Sequence, residues 1–247
     1  MVNIEQVYAD YLKEKNVENR KKYKDLKHLY SASSAGTCFR KQYLRTKGHD
    51  ELPMEDRVMR LLRLGTIVHE DIQSSLEEYF KWAGGEDGER YALYMEHQIK
   101  IPDLGVVGHL DIGLYDKENE SVKVYDIKTC ASYKWRMKFG RRPDKNGSVN
   151  YNLQLATYTF ALAEELKTAD TQMSLLWYNK DTSALREEPI DNSWVNSALE
   201  YWEELNECLE DVNSDNGKEL IPGSYGVPMM NWECRYCGFK DLYCQGI

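Results

Sequence analysis

The sequence contains no run of 18 apolar residues free of charge, which excludes a membrane-spanning helix of ordinary length. Its first residues, MVNIEQVYADYLKEK, hold neither an apolar leader core nor a small-residue cleavage site, so a cytoplasmic chain is expected. There is no internal repeat and no low-complexity segment. There is no G-x-x-x-x-G-K-[ST] pattern, so no P-loop motor is built in. Cysteine is sparse: six in 247 residues, too few for a secreted disulfide scaffold. What remains is a chain 42% apolar and 30% charged, too apolar for disorder and long enough for one sizeable core.

The net charge of −9 is unevenly placed. Residues 181–220 hold twelve acids and two bases, so that segment carries −10 and the other 207 residues sum to +1. The acidity therefore does not forbid a nucleic-acid partner; it marks 181–220 as the wrong surface for one. Two basic clusters stand out. Lys13, Lys15, Arg20, Lys21, Lys22, Lys24 and Lys27 fit a solvated helix face. Lys134, Arg136, Lys138, Arg141, Arg142 and Lys145 alternate with Trp135, Phe139, Gly140 and Pro143, which reads as a mobile loop. Cations beside aromatics suit a phosphate backbone and stacked bases, although an ordinary basic surface accounts for them equally well.

Three of the cysteines, Cys234, Cys237 and Cys244, crowd into CRYCGFKDLYC with no histidine among them. A metal centre there needs a fourth ligand from elsewhere. Cys38, in AGTCFRKQYLR, is the best candidate, because Cys208 lies mid-helix and Cys130 ends a strand. Zinc held by four cysteines usually uses two short knuckles, and here there is one. Iron–sulfur clusters accept scattered thiolates more readily. Iron–sulfur, zinc and no metal all remain open on spacing alone.

Along the chain, residues 3–30 read as a charged helix, and SASS at 31–34 offers N-cap hydroxyls to a short helix running to about Arg45. Residues 57–82 carry apolar side chains at three- and four-residue steps, and GGEDGE at 84–89 breaks that helix. Strands are expected at about 91–101, 105–115, 122–130 and 171–179, and helices at 149–168 and 193–212. The stretch IPGSYGVP at 221–228 leads to the cysteine tail.

Period-two geometry would put Val107, His109, Asp111 and Gly113 on one strand face, and Val124, Asp126 and Lys128 on another. Charges on the apolar face of a central strand are costly unless paired or metal-bound. Asp111, Asp126 and Lys128 would meet across neighbouring strands. Two carboxylates and a lysine so placed can hold Mg²⁺ or Mn²⁺ for phosphodiester hydrolysis, the lysine orienting or deprotonating the attacking water. A buried ion pair without chemistry is the plainer alternative. His69 could add an imidazole ligand favouring Mn²⁺, or be an ordinary core histidine. Gln154 and Tyr158, four apart on a helix, could aim into the cleft or form a polar edge.

The ordered set G-x-x-x-H (Gly65 to His69), G-H-x-D (Gly108 to Asp111), D-x-K (Asp126 to Lys128) and Q-x-x-x-Y (Gln154 to Tyr158) resembles the RecB-type branch of the PD-(D/E)XK nucleases. Cys38 in C-x-R, with the C-terminal cysteine triplet, is similar to the iron–sulfur members: CRISPR-associated RecB-like exonucleases, the AddB nuclease domain and phage-encoded relatives. The match covers about residues 35 to 244. It departs from the family's pattern in Cys-x6-Cys, where five intervening residues are expected, and in Phe39, where proline is common.

The resemblance implies an α/β (α+β), restriction-endonuclease-like core with a mixed sheet flanked by helices, and an iron–sulfur cap joining the chain's two ends. The expected organisation is an N-terminal helical region (1–56), a nuclease core (57–220) and a cysteine tail (221–247) packing on the N-terminal region. It further implies that His69, Asp111 and Asp126, with the Ile127 carbonyl, bind Mn²⁺ or Mg²⁺. Lys128 would be catalytic, with Gln154 and Tyr158 positioning it or the DNA. Cys38, Cys234, Cys237 and Cys244 would hold a 4Fe–4S cluster. The implied activity is a DNA exonuclease preferring single strands or ends, with Lys134, Arg136, Lys138, Arg141 and Arg142 contacting DNA. Lacking a motor, it would serve a separate helicase or integrase; a non-catalytic DNA-end-binding module is the alternative.

Overall fold

A computed structural model describes residues 2–22, 29–82, 86–144, 147–210, 212 and 233–244. The helices are α1 (Ile4–Lys22), α2 (Phe39–Thr46), α3 (Asp56–Trp82), α4 (Glu86–Arg90), α5 (Ser132–Phe139), α6 (Val149–Leu166), α7 (Trp194–Glu210) and α8 (Lys240–Tyr243). The strands are β1 (Tyr30–Ser31), β2 (Tyr91–Ile101), β3 (Val106–Asp116), β4 (Ser121–Cys130), β5 (Asp170–Asn179) and β6 (Leu185–Ile190). They form one mixed sheet of order β1-β3-β4-β5-β6, with β2 pairing β3 on its other edge.

The reason for this arrangement lies in β4 and α6. Val122, Val124 and Ile127 are buried, and the β4–α6–β5 crossover brings β5 parallel to β4 over ten residues. Such a connection needs a helix to return the chain. α6 supplies it: eleven of its 18 residues are buried, Leu155, Ala156 and Leu162 among them. α7 packs on α6 through Ala198, Tyr201, Trp202 and Leu205, and Trp202 Nε1 donates to Thr157 Oγ1 at 2.9 Å. Each large side chain so buried contributes roughly 1.5–3 kcal/mol.

Several sequence expectations need correction. The first helix does not reach residue 30: Tyr30 and Ser31 instead pair parallel with Val106 and Val107, and Tyr30 stacks on Trp202, while residues 23–28 lie outside the described residues. The serines at 31–34 do not cap α2. Ala32–Ser34 is a 3-10 turn, and Ser34 Oγ donates to the Ser31 carbonyl and to Gln42 Oε1. Part of GGEDGE is helical, in α4. β6 was not anticipated, since LREEPI is charged and contains Pro189; both suit an edge strand. Residues 84–85 and 221–228, with Lys24, Lys27, Lys145 and Trp232, lie outside the described residues.

Strict alternation also fails in β3. A Cβ at Gly108 would lie 2.9 Å from Ala32 Cβ and from Tyr158 Cε1, and one at Gly113 would lie 2.6 Å from Leu162 Cδ2. Tyr158 and Leu162 are four apart on α6, so both glycines face that helix although they stand five positions apart in the strand. Val107 and His109 therefore do not share a face with Gly113. The departure falls at Asp111: the Glu96–Asp111 pair is missing from an otherwise continuous β2–β3 ladder, and Glu96 has φ +45°. A non-glycine residue held there is strained, and such strain clusters at functional sites.

Gly113→Ala forces its new methyl against Leu162, an overpacking that costs about 1–3 kcal/mol. Urea unfolding should show a lower midpoint at an unchanged slope.

Candidate active site

β3 and β4 pair only from Ile112↔Tyr125 to Asp116↔Ser121. Beyond that the strands part, and β1 takes the same edge of β3 only at Val106 and Val107. Residues 108–111 thus form a notch in the sheet. Across it, β4 runs on beside β5 and carries Asp126, Ile127 and Lys128. The Asp111 carboxylate takes the place of the lost ladder: its Oδ2 accepts from Ile127 N at 2.6 Å.

Helix α3 grips the same residue. Gly65, His69 and Gln73 stand at four-residue intervals, so they share a face. Gly65 lets the helix approach β4, where an added Cβ would be 3.3 Å from Thr129 Oγ1. His69 Nδ1 lies 3.5 Å from Asp111 Oδ1. Gln73 Nε2 donates to the Asp111 carbonyl and to Glu96 Oε1, each at 2.9 Å. Gln73 and Glu96 were missed in the sequence. Gln73 could have been found by extending the Gly65–His69 stripe one turn; nothing in the sequence marks Glu96.

From the other side, α6 inserts Gln154 and Tyr158. Gln154 Oε1 accepts from Lys128 Nζ at 2.9 Å, while its Nε2 faces Asp126 Oδ1 and the Tyr158 hydroxyl, both at 3.1 Å. Lys128 Nζ is 2.5 Å from Asp126 Oδ2 and 4.8 Å from the Tyr151 ring centre. Asp126 is only 1% exposed, and its Oδ2 receives no well-angled hydrogen bond, only the neighbouring ammonium charge.

The electrostatics follow from this burial. Burial pushes the Asp126 carboxyl above its ordinary range; Lys128 opposes that shift and Asp111 reinforces it. Burial works against the Lys128 charge, but Asp126 and Asp111 outweigh it and hold the ammonium protonated. His69 behaves alike: burial lowers its affinity for a proton, and the Asp111 bond with the Asp111 and Asp126 charges raises it further. Burial, then Asp126 and Asp111, raise Tyr158 far above a free phenol, so its hydroxyl stays neutral.

Among the described residues no three His, Cys, Asp or Glu side chains converge as a metal cage. His69 reaches Asp111 directly but meets Asp126 only through its charge. Asp111 spends one oxygen on Ile127. The donor types and the buried, poorly satisfied Asp126 Oδ2 nevertheless fit a hard divalent cation.

The basic segment differs from the expected mobile loop. Residues 132–139 are helical because Trp135 and Phe139, four apart, pack against each other and against the core, Phe139 edge-on to Trp177. Lys138 pairs with Glu188 at 2.8 Å, and Lys134 donates to the Gly147 carbonyl. Two of the five cations are thus engaged within the protein; Arg136, Arg141 and Arg142 are exposed.

The cysteine segment packs on α2. Glu233, buried, accepts from Cys38 N at 3.2 and 3.3 Å and pairs with Lys41 at 3.3 Å. Arg40 donates to the Tyr243 carbonyl, Leu52 N to the Gly238 carbonyl at 3.0 Å, and Phe239 packs with Tyr43 and Leu44. No disulfide joins any of the six cysteines. Burial, with the Glu233 and Cys237 charges, pushes the Cys38 thiol up to about 11. Cys244, raised by burial, also feels Cys237 and Cys234. The four thiols are electrostatic neighbours but do not converge into a ligand set.

Asp111 has both a structural and a chemical part, and substitution separates them. Asp111→Ala leaves the buried Ile127 N–H without its acceptor and should cost about 1–3 kcal/mol in denaturant titrations. Asp111→Asn keeps an acceptor oxygen and should retain most of that stability.

The profile of the PD-(D/E)XK nuclease superfamily matches residues 26–245. Among curated proteins, none matches the sequence. Among solved structures, SSO0001 is similar at 18% identity and TM-score 0.53, over 96% of this chain and 95% of that one. An alkaline exonuclease from Laribacter hongkongensis is similar at 12% identity and TM-score 0.49, over 77% of this chain and 92% of its own. A protein from Eubacterium rectale described as an exonuclease matches at 17% identity and TM-score 0.48, over 83% and 87%. The SSO0001 likeness shows a shared fold over nearly the whole chain. Together with the family match, which takes in every residue of the notch, it establishes that the chain belongs to the PD-(D/E)XK nuclease superfamily.

Proposed function

We propose that this protein is a divalent-metal-dependent DNA exonuclease acting on single strands or strand ends. The observation that carries the reading is the notch, where parted strands set Asp111 and Asp126 beside a protonated Lys128 held by Gln154. His69, Asp111 and Asp126, with the Ile127 carbonyl, would hold Mn²⁺ or Mg²⁺, which supplies Lewis acidity to the phosphoryl group. Lys128, held between Gln154 and Asp126, would stabilise charge on the phosphate and orient or deprotonate the attacking water. Gln154 fixes the lysine from one side and Asp126 from the other, so neither side chain has to reorganise as charge develops. The exonuclease assignment rests on the likeness of the four ordered motifs to RecB-type enzymes. Arg136, Arg141 and Arg142, just beyond β4, would guide the backbone of the strand. Without a P-loop of its own, the enzyme would work beside a separate helicase or integrase.

End-labelled single-stranded DNA with Mn²⁺ should be degraded by the wild type and left intact by Lys128→Ala, and a circular strand should be spared. Binding without cleavage by the folded wild type would favour a non-catalytic end-binding module.

We further propose a 4Fe–4S cluster on Cys38, Cys234, Cys237 and Cys244. Support comes from four unbridged thiols, two of which, Cys38 and Cys244, are pushed up by burial and by neighbouring negative charge, so their thiolates would be favoured by a cationic centre. Anaerobically purified protein should be brown, and Cys237→Ser colourless with its tail open to proteases. A colourless variant as protease-resistant as the wild type would overturn the stapling role.

A further inference from the structure

Along the open edge of β3 lies a cavity of about 500 Å³. The candidate active site forms part of its lining, through Asp111, Gln154 and Tyr158. The remaining walls come from elsewhere: Ser31 and Ser33 around β1, and Arg45 and Thr46 at the end of α2. We propose that this cavity binds one nucleotide unit of a single strand beside the scissile bond, with Arg45 and the Ser31–Ser33 hydroxyls taking its phosphate. The proposal deepens the nuclease reading and rests on it for the word scissile.

The chemistry of the lining carries the assignment. Ser31 Oγ and Ser33 Oγ lie 2.8 Å apart, so one hydroxyl donates to the other. Two hydroxyls bring two protons, and their mutual bond uses one. The second is available to an anionic oxygen. Arg45 is 44% exposed at its side chain, and its ion pair with Glu51 is long, at 3.6 Å. An exposed pair of that kind contributes little, so the guanidinium gives it up readily. A phosphate offers in exchange two parallel, charge-assisted hydrogen bonds. Leu29 and Val107 line the same cavity and give the sugar or base an apolar surface.

The wall is also held in shape. Gln42, buried and one turn before Arg45, donates to the Ser34 carbonyl at 2.7 Å and to Thr37 Oγ1 at 2.9 Å, and accepts from Ser34 Oγ at 3.0 Å. These bonds lock the 31–34 turn to α2, so the hydroxyls and the guanidinium keep a constant relation to each other. Such preorganisation lowers the entropy lost on binding. α2 is in turn tied to the cysteine segment through Cys38–Glu233 and Arg40–Tyr243. The cysteine tail therefore buttresses the substrate wall rather than the catalytic carboxylates.

The test is fluorescence anisotropy of a short labelled single-stranded oligodeoxynucleotide in EDTA, where binding is read without cleavage. Arg45→Ala should bind about tenfold more weakly, with a logarithmic salt slope shallower by about 0.7, the share of one phosphate contact on a single strand. Arg45→Lys should fall between, since it keeps the charge and loses the fork. Lys81→Ala, an exposed charge on the far end of α3, should match the wild type. Arg45→Ala binding as tightly as the wild type would overturn the proposal, as would an equal loss in Lys81→Ala or no binding by the wild type. A parallel Mn²⁺ cleavage assay separates the two readings. Arg45-dependent binding without wild-type cleavage sinks the nuclease and leaves the pocket; cleavage with Arg45-independent binding does the reverse.

Discussion

The bond from Ile127 N–H to the Asp111 carboxylate is the constraint from which the site follows. Two antiparallel strands that part in mid-sheet expose backbone groups that must find partners, because an orphaned buried N–H is costly. Here a side chain serves as the missing strand. That substitution keeps β4 buried and paired with β5 while freeing β3 to form the rim of a cavity. It also places a carboxylate beside Asp126, where two like charges would ordinarily repel.

The repulsion is contained by Lys128, and the containment is fragile. A lysine and an aspartate this deeply buried do not stabilise a fold as well as apolar residues of the same volume would. The protein carries that cost at one place, surrounds it with Gln154, Tyr158 and Tyr151, and covers it with α6, a helix with eleven of its 18 residues buried. Glu96, strained in its backbone across from Asp111, accepts from Gln73 through its side chain, and Gln73 also donates to the Asp111 carbonyl, so the distortion of β3 is braced from outside the sheet. Strain, buried charge and interrupted pairing coincide within a few residues, a pattern expected where function overrides packing.

Most elements were legible because their periodicity is local. The apolar steps of α3, the long buried run of α6 and the β-rich 122–130 segment announce themselves without reference to neighbours. His69, Asp111, Asp126, Lys128, Gln154 and Tyr158 were legible as an ordered set, and the fold brings them to one notch. Other features depend on tertiary partners. β1 is two residues long and exists only because β3 has a vacant edge. Trp135 and Phe139 looked like a stacking platform for bases, but Trp177 and the core were the nearer partners. Gln73 and Glu96 are ordinary polar residues whose role comes from a backbone distortion that no local pattern encodes.

The contact between residues 233–244 and 38–52 has a consequence for how the molecule is made. Nearly 200 residues separate Cys38 from Glu233, and closing a loop of that length costs roughly 5 kcal/mol in chain entropy. During synthesis the sheet and α6 can assemble while this contact is still absent, because their partners are already out of the ribosome. The α2 wall of the cavity then stays without its buttress until residue 244 has been made. A nascent chain can therefore assemble the notch early, while the α2 wall of the cavity is anchored only after translation has passed the cysteine segment.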